Sequence, residues 1–155
     1  MRELREFCKR NACGRYGKNY TCPPLVGEAD MLIAKAQSFP TAVILQNIYL
    51  LEDSYDYGGM TDGLRKHNEM TLAAARRACA EYGRDNMLAL AAGGCFLCEV
   101  CGAVYNTPCP RREDALSSME AYCINVSRIE DVTGMKYING ENTVTYFSCL
   151  LLPEA

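Results

Sequence analysis

Apolar positions recur along this chain with two different periods, and the change from one to the other marks the elements. Residues 27–38 (GEADMLIAKAQS) carry helix formers, with Glu28 and Asp30 in the first turn, where the helix dipole favours acids. Pro40 separates this helix from Thr41–Leu51 (TAVILQNIYLL), whose β-branched and aromatic content predicts a buried strand. The stretch Tyr55–Gly63 has the glycine and aspartate density of a loop. From Leu64 to Tyr82 a helix is predicted, ended by Gly83, with Leu72, Ala75, Cys79 and Tyr82 on its apolar face. That spacing makes Cys79 a core residue.

The short apolar run Met87–Ala92 ends in Gly93-Gly94 and predicts a central strand that delivers the chain directly into Cys95. After Pro110 a charged helical piece is expected to about Tyr122, then a short helical turn over Ile124–Gly134. Met135–Asn139 and Thr143–Leu152, joined by Asn139-Gly140, predict a hairpin. On its second strand Phe147, Cys149 and Leu151 share a face, which assigns Cys149 to the core. These elements sum to an α+β fold: a small sheet of about four strands with a C-terminal hairpin, helices packed on one side, and cysteine-rich loops at the sheet edge. Strand order does not follow from the sequence.

Length and composition narrow the class. With 155 residues, 49% of them hydrophobic, the chain suits one domain over 1–155. A net charge of −3 without a polybasic block argues against a nucleic-acid partner. No run is apolar and long enough to span a membrane, and the N-terminal Met1–Glu6 mixes charges where a signal peptide needs an apolar stretch. A cytoplasmic protein is expected, in which ten cysteines serve as metal ligands or core residues in preference to disulfides. The single histidine, His67, removes the common mixed cysteine–histidine zinc patterns.

The candidate chemistry lies in the cysteines. Cys95, Cys98, Cys101 and Cys109, followed by Pro110, place three thiols at two-residue intervals and a fourth nearby. This resembles the C-x2-C-x2-C run closing at C-P of ferredoxin-type [4Fe–4S] motifs, although the last gap here holds seven residues. Each short gap lets successive thiolates reach different irons of one cube. Three ligands within seven residues would crowd a single zinc ion, which remains the alternative metal. Gly93, Gly94 and Gly102 permit close backbone approach to either. A second run, Cys8, Cys13 and Cys22 before Pro23-Pro24, supplies three ligands. With Cys123 as a fourth it is a closed centre; without it, an iron stays open to act as a Lewis acid. The two regions, 1–24 and 93–112, thus hold one or two clusters. Arg10, Arg15 and Lys18 near the first run, and Arg111 and Arg112 after the second, are placed to offset a cluster's negative charge. Tyr16 and Tyr20 are candidate shields against water, and Glu120 and His67 are weak candidates for proton donors.

Together the motifs Cys13-x2-Tyr16-Gly17-x4-Cys22-Pro23-Pro24, Gly94-Cys95-x2-Cys98-x2-Cys101 with Pro108-Cys109, and Ser118-Met119-Glu120-Ala121 with Ile124-Asn125-Val126 resemble a cysteine-rich bacterial and archaeal family of predicted metal-binding proteins of unknown function. The resemblance implies Cys8, Cys13, Cys22, Cys95, Cys98, Cys101 and Cys109 as ligands. Three positions depart from the family's usual residues: Tyr20 replaces tryptophan, Pro110 replaces arginine and Cys123 replaces glycine.

Three functions are therefore expected in turn. The first is an iron–sulfur protein passing electrons to or from a redox partner protein, with the aromatic loop Tyr55–Met60 as a docking place. The second is an enzyme with an open-iron, three-cysteine cluster for sulfur transfer or group removal. The third is a zinc-stabilised interaction module. No dinucleotide fingerprint, P-loop or nucleophile–base pair points to a substrate, and oligomeric state is left open.

Overall fold

The computed structural model describes residues 3–154; Met1, Arg2 and Ala155, the outer ends of the expected domain, lie outside the described residues. The α+β expectation holds, with four helices and a four-stranded mixed sheet. Strand β1 (Thr41–Leu50) runs antiparallel to β4 (Thr143–Leu152) along its whole length, Thr41 opposite Leu152 and Leu50 opposite Thr143. The other edge of β4 takes β2 (Leu88–Ala91), also antiparallel, and β2 pairs in parallel with the two-residue β3 (Ser117–Ser118). The order is β1-β4-β2-β3.

Alternation along β4 sends Phe147, Cys149 and Leu151 to one face and Ser148, Leu150 and Leu152 to the other. The first face is covered by Leu32 of α2 (Ala29–Gln37), Ile129 of α4 (Ile129–Thr133), and Met119 and Tyr122 around a 3-10 turn at Glu120–Tyr122. Helix α1 (Glu3–Lys9) packs on that same turn. The second face is covered by Ala75 and Ala78 of α3 (Tyr57–Tyr82). Helices therefore flank both faces, where one side was expected. The reason is that β4 buries every residue from Phe147 to Leu152, and strands apolar on both faces need a layer on each.

Three further expectations change. Helix α3 starts at Tyr57, so most of the expected loop Tyr55–Gly63 is helix; the Asp56 carboxylate caps it by accepting from the Gly59 N–H at 2.7 Å. The glycine at 63 serves packing, since a β-carbon there would meet the Tyr49 ring at 2.9 Å. The predicted hairpin does not form: β4 is paired on both edges by β1 and β2, and Met135–Asn139 is not a strand. That segment instead crosses the sheet face, with the Lys136 carbonyl accepting from Gln46 Nε2 at 2.7 Å and the Tyr137 ring stacked 6.2 Å from Phe147. The ten-residue ladder of β1 and the buried LALA run of β2 take the two edges of β4 in place of MKYIN, despite its turn residues. The expected helix after Pro110 is a run of turns leading into β3, with only the 3-10 turn at Glu120–Tyr122 near its end.

The buried stripe of α3 also differs from the expected one. It comprises Gly63, His67, Thr71, Ala75 and Ala78, while Cys79 is half-buried beside the core. Its polar members are paired: Thr71 and Ser148 share a hydroxyl–hydroxyl bond of 2.7 Å, and His67 Nδ1 lies 2.7 Å from Asn47 Oδ1. Cys149 is a core residue as expected, its thiol pushed up to about 12 by burial. Among the described residues no helix is long and apolar enough to cross a membrane.

Candidate thiol-rich metal centre

At the end of β2 the chain turns through Gly93, whose φ of +65° suits a residue without a side chain, and enters the main cysteine loop. The loop is folded on itself. A 3-10 turn at Gly102–Tyr105 is closed by the Thr107 N–H bonding the Gly102 carbonyl at 2.9 Å, with Asn106 left-handed. A β-carbon at 102 would stand 2.6 Å from the Thr107 carbonyl oxygen, so only glycine permits this closure. Downstream, Asp114 ties the loop's exit to α3 through two bonds from Arg76, at 3.0 and 2.8 Å. Arg111 is partly engaged by the same carboxylate, at 3.5 Å.

The effect is to set Cys95, Cys98, Cys101 and Cys109 around one cavity of about 540 Å³. Its other wall comes from the N-terminal loop, through Cys13, Arg15, Lys18 and Tyr20 among others. Arg15 and Lys18, which lie near the first cysteine run in sequence, thus face the second in space.

The two loops are latched at the Cys95 peptide. Its N–H donates to Thr21 Oγ1 at 3.2 Å, and its carbonyl accepts from Asn19 Nδ2 and Arg15 Nη1, both at 3.0 Å. Asn19 and Thr21 are buried, and the Asn19 carbonyl oxygen organises Thr21 by accepting from its N–H and hydroxyl. The Arg15 guanidinium also stacks 3.8 Å over the Phe96 ring. Tyr20 spans the gap, donating its hydroxyl to the Thr107 carbonyl at 2.8 Å. Asn19 and Thr21 had no signal in the sequence, because an amide and a hydroxyl in a loop reveal nothing until the chain they bind is in place.

A second grouping forms around Cys8 on α1. Its thiol feels the charges of Arg5, Cys13, Glu120 and Cys123, and that of Cys22 feels Cys13, Arg15 and Cys8. Cys22 adjoins the main loop, since a β-carbon at Gly94 would lie 3.0 Å from its sulfur. Burial pushes the Cys8, Cys22 and Cys95 thiols up; the Arg5 charge opposes this at Cys8, and at Cys95 the neighbouring thiols Cys109, Cys98 and Cys101 add to it. Burial likewise pushes the Glu120 carboxyl up. His67 lies under α3 against β1 and takes no part in either grouping.

All seven cysteines expected as ligands, and Cys123, thus fall into two adjoining sets. Residues 1–152 match the family described as predicted metal-binding protein (DUF2284). The chain belongs to that family. No curated protein and no solved structure matches it. For this DUF2284 protein the donor set is the observation that bears on metal. Five thiols, those of Cys13, Cys95, Cys98, Cys101 and Cys109, and one carboxylate, Glu99, line the cavity, with no imidazole. Sulfur donors of this kind suit iron–sulfur clusters, zinc and cuprous copper. Among the described residues no three cysteine, histidine, aspartate or glutamate side chains group as a single-ion site. A cluster of several irons draws its thiolates from a wider ring than one ion, whose sulfur ligands lie about 2.3 Å from it.

Proposed function

We propose that this chain is an iron–sulfur protein with a redox role, holding a [4Fe–4S] cluster on Cys95, Cys98, Cys101 and Cys109. The observation that carries the reading is the convergence of these four thiols on one cavity, at spacings that serve different corners of one cube. When bound, such a cluster supplies one-electron transfer. The chain's own residues hold and insulate it: Arg15 and Lys18 offset its negative charge, Tyr20 and Phe96 limit water, and the glycines at 94 and 102 let backbone come close. A protein partner would exchange the electron, and Tyr55 and Tyr57, both exposed, offer it an aromatic surface. They flank the start of α3, whose following turns, at Thr61 and Leu64, line a cavity with Phe96 and Leu97 of the cysteine loop.

Iron and acid-labile sulfide measured on anaerobically prepared protein, with an absorption spectrum, test the proposal. Matching iron and sulfide with a brown charge-transfer band are expected. Zinc without sulfide, in a colourless protein that unfolds on chelation, would replace the redox reading with a structural module. An enzymatic reading, with an open iron on Cys8, Cys13 and Cys22, requires Cys123 to stand outside that set.

A further inference from the structure

Arg5 is an arginine with only 9% of its surface exposed, and among the described residues it forms no ion pair. Its Nη2 donates to the Gly27 carbonyl at 2.6 Å, and its Nε is a buried donor with no partner among the described residues. A buried cation is costly unless something anionic faces it. The Cys8 thiol lies three residues on, one helical turn along α1, within reach of the Arg5 charge.

Cys123 approaches the same place from the opposite side of the chain. It follows the 3-10 turn on which α1 packs, is 1% exposed, and has φ +60°, a left-handed backbone that favours glycine. Bonds from the Cys123 N–H to the Glu120 carbonyl (2.9 Å) and from the Ile124 N–H to the Met119 carbonyl (3.0 Å) fix that conformation. Unlike the other fully buried cysteine, Cys149, it belongs to neither apolar cluster of the core. A buried thiol with a left-handed backbone, outside both apolar clusters and next to the helix that carries Cys8 and Arg5, is placed for ligation rather than packing. Cys13 completes the arrangement, because the main loop already has four thiols of its own and Cys13 lies close enough to Cys8 and Cys22 to act on both thiols.

We propose that Cys8, Cys13, Cys22 and Cys123 close a second iron–sulfur site beside α1, with the buried Arg5 guanidinium as its counter-charge and Nε donor. The proposal rests on the iron–sulfur reading given above. It makes this site coordinatively closed, with no open iron, and sets it against the first, since Cys22 touches Gly94 at the start of the main loop.

The test compares anaerobically prepared wild type with Cys123→Gly, Cys98→Ser and Arg5→Gln, by iron and sulfide content and by EPR of the reduced protein. Glycine suits φ +60°, so Cys123→Gly separates ligand loss from misfolding. Wild type is expected to carry roughly eight irons per chain, two cubes, with Cys123→Gly and Cys98→Ser each losing or altering a different one of two signals. Arg5→Gln is expected to move one midpoint potential, that of the cluster sensitive to Cys123, to more negative values, since a cation favours the reduced, more anionic state. Unchanged iron and signals in Cys123→Gly would overturn the site. So would a cluster lost in Glu120→Gln but retained in Cys123→Gly. An unmoved potential in Arg5→Gln would overturn the role of Arg5. A single cluster abolished by Cys98→Ser would refute this second site and leave the first intact, whereas iron-free protein would refute both.

Discussion

Gly94 shows how much rests on a missing side chain. A methyl group there would stand 3.0 Å from Cys22 Sγ and 3.2 Å from Arg15 Cδ, tighter than ordinary contact, so one loop must move away from the other. Gly94→Ala is expected to cost about 1–3 kcal/mol, the usual range for overpacking, read by urea denaturation, and to lower metal retention. Unchanged stability and retention would show that the loops yield freely. The glycine pair was legible in the sequence as a place of close approach; its neighbour, the Cys22 sulfur 72 residues earlier, was not. His67 carries a second residue-scale prediction. It is fully buried, its Nε2 faces the Phe147 backbone without a partner in bonding geometry, and burial lowers its pKa to about 4 from 6.5. With the folded value below the unfolded one, the unfolded chain binds more protons between those pH values, so stability is complete above about pH 6.5 and falls toward pH 4. The full loss, reached below pH 4, is on the order of 3 kcal/mol, from about 1.36 kcal/mol per unit. Denaturation midpoints across that window should show it, and His67→Gln should flatten the slope; an equal slope in both proteins would assign it to other groups.

At the scale of elements, the polar seam under α3 was the feature that apolar periodicity hid. The spacing of Leu72, Ala75, Cys79 and Tyr82 pointed to a helix correctly but rotated its buried stripe away from His67 and Thr71, because only apolar side chains were counted. Thr71 and Ser148 become interior by pairing with each other, Thr71 also donating its hydroxyl to the His67 carbonyl one helix turn back. Thr71→Val leaves the Ser148 hydroxyl without that partner and is expected to cost about 1–3 kcal/mol. Adding Ser148→Ala should recover part of the loss in a double-mutant cycle. Strict additivity of the two changes would mean that the hydroxyls do not interact. The same element shows why the stretch from Tyr57 to Gly63 was misread: glycine and aspartate there mark a loop by composition, yet Asp56 caps the helix and Gly63 admits Tyr49, both tertiary uses of the same residues.

Across the whole molecule, the Cys95 peptide joins a segment at residues 13–22 to a loop at 95–109, so the two should be ordered together. Metal loading is expected to slow amide exchange in both segments at once, and Asn19→Ala, which removes a buried donor to the Cys95 carbonyl, should uncouple them. Protection confined to 95–109 in the wild type would reject the coupling. The sequence by itself determined the α+β class, the extents of β1 and β4, the core role of Cys149 and the thiol-rich character of both loops, since these depend on local period and residue chemistry. Tertiary structure decided which strand pairs with β4, that both sheet faces are covered, and that Arg15 of one cysteine loop serves the other. It also decided that Arg5 and Cys123, 118 positions apart, both act on the thiol of Cys8. Such pairings depend on competition for edges and on which buried charges remain uncompensated, and these are properties of the assembled chain that no local window contains.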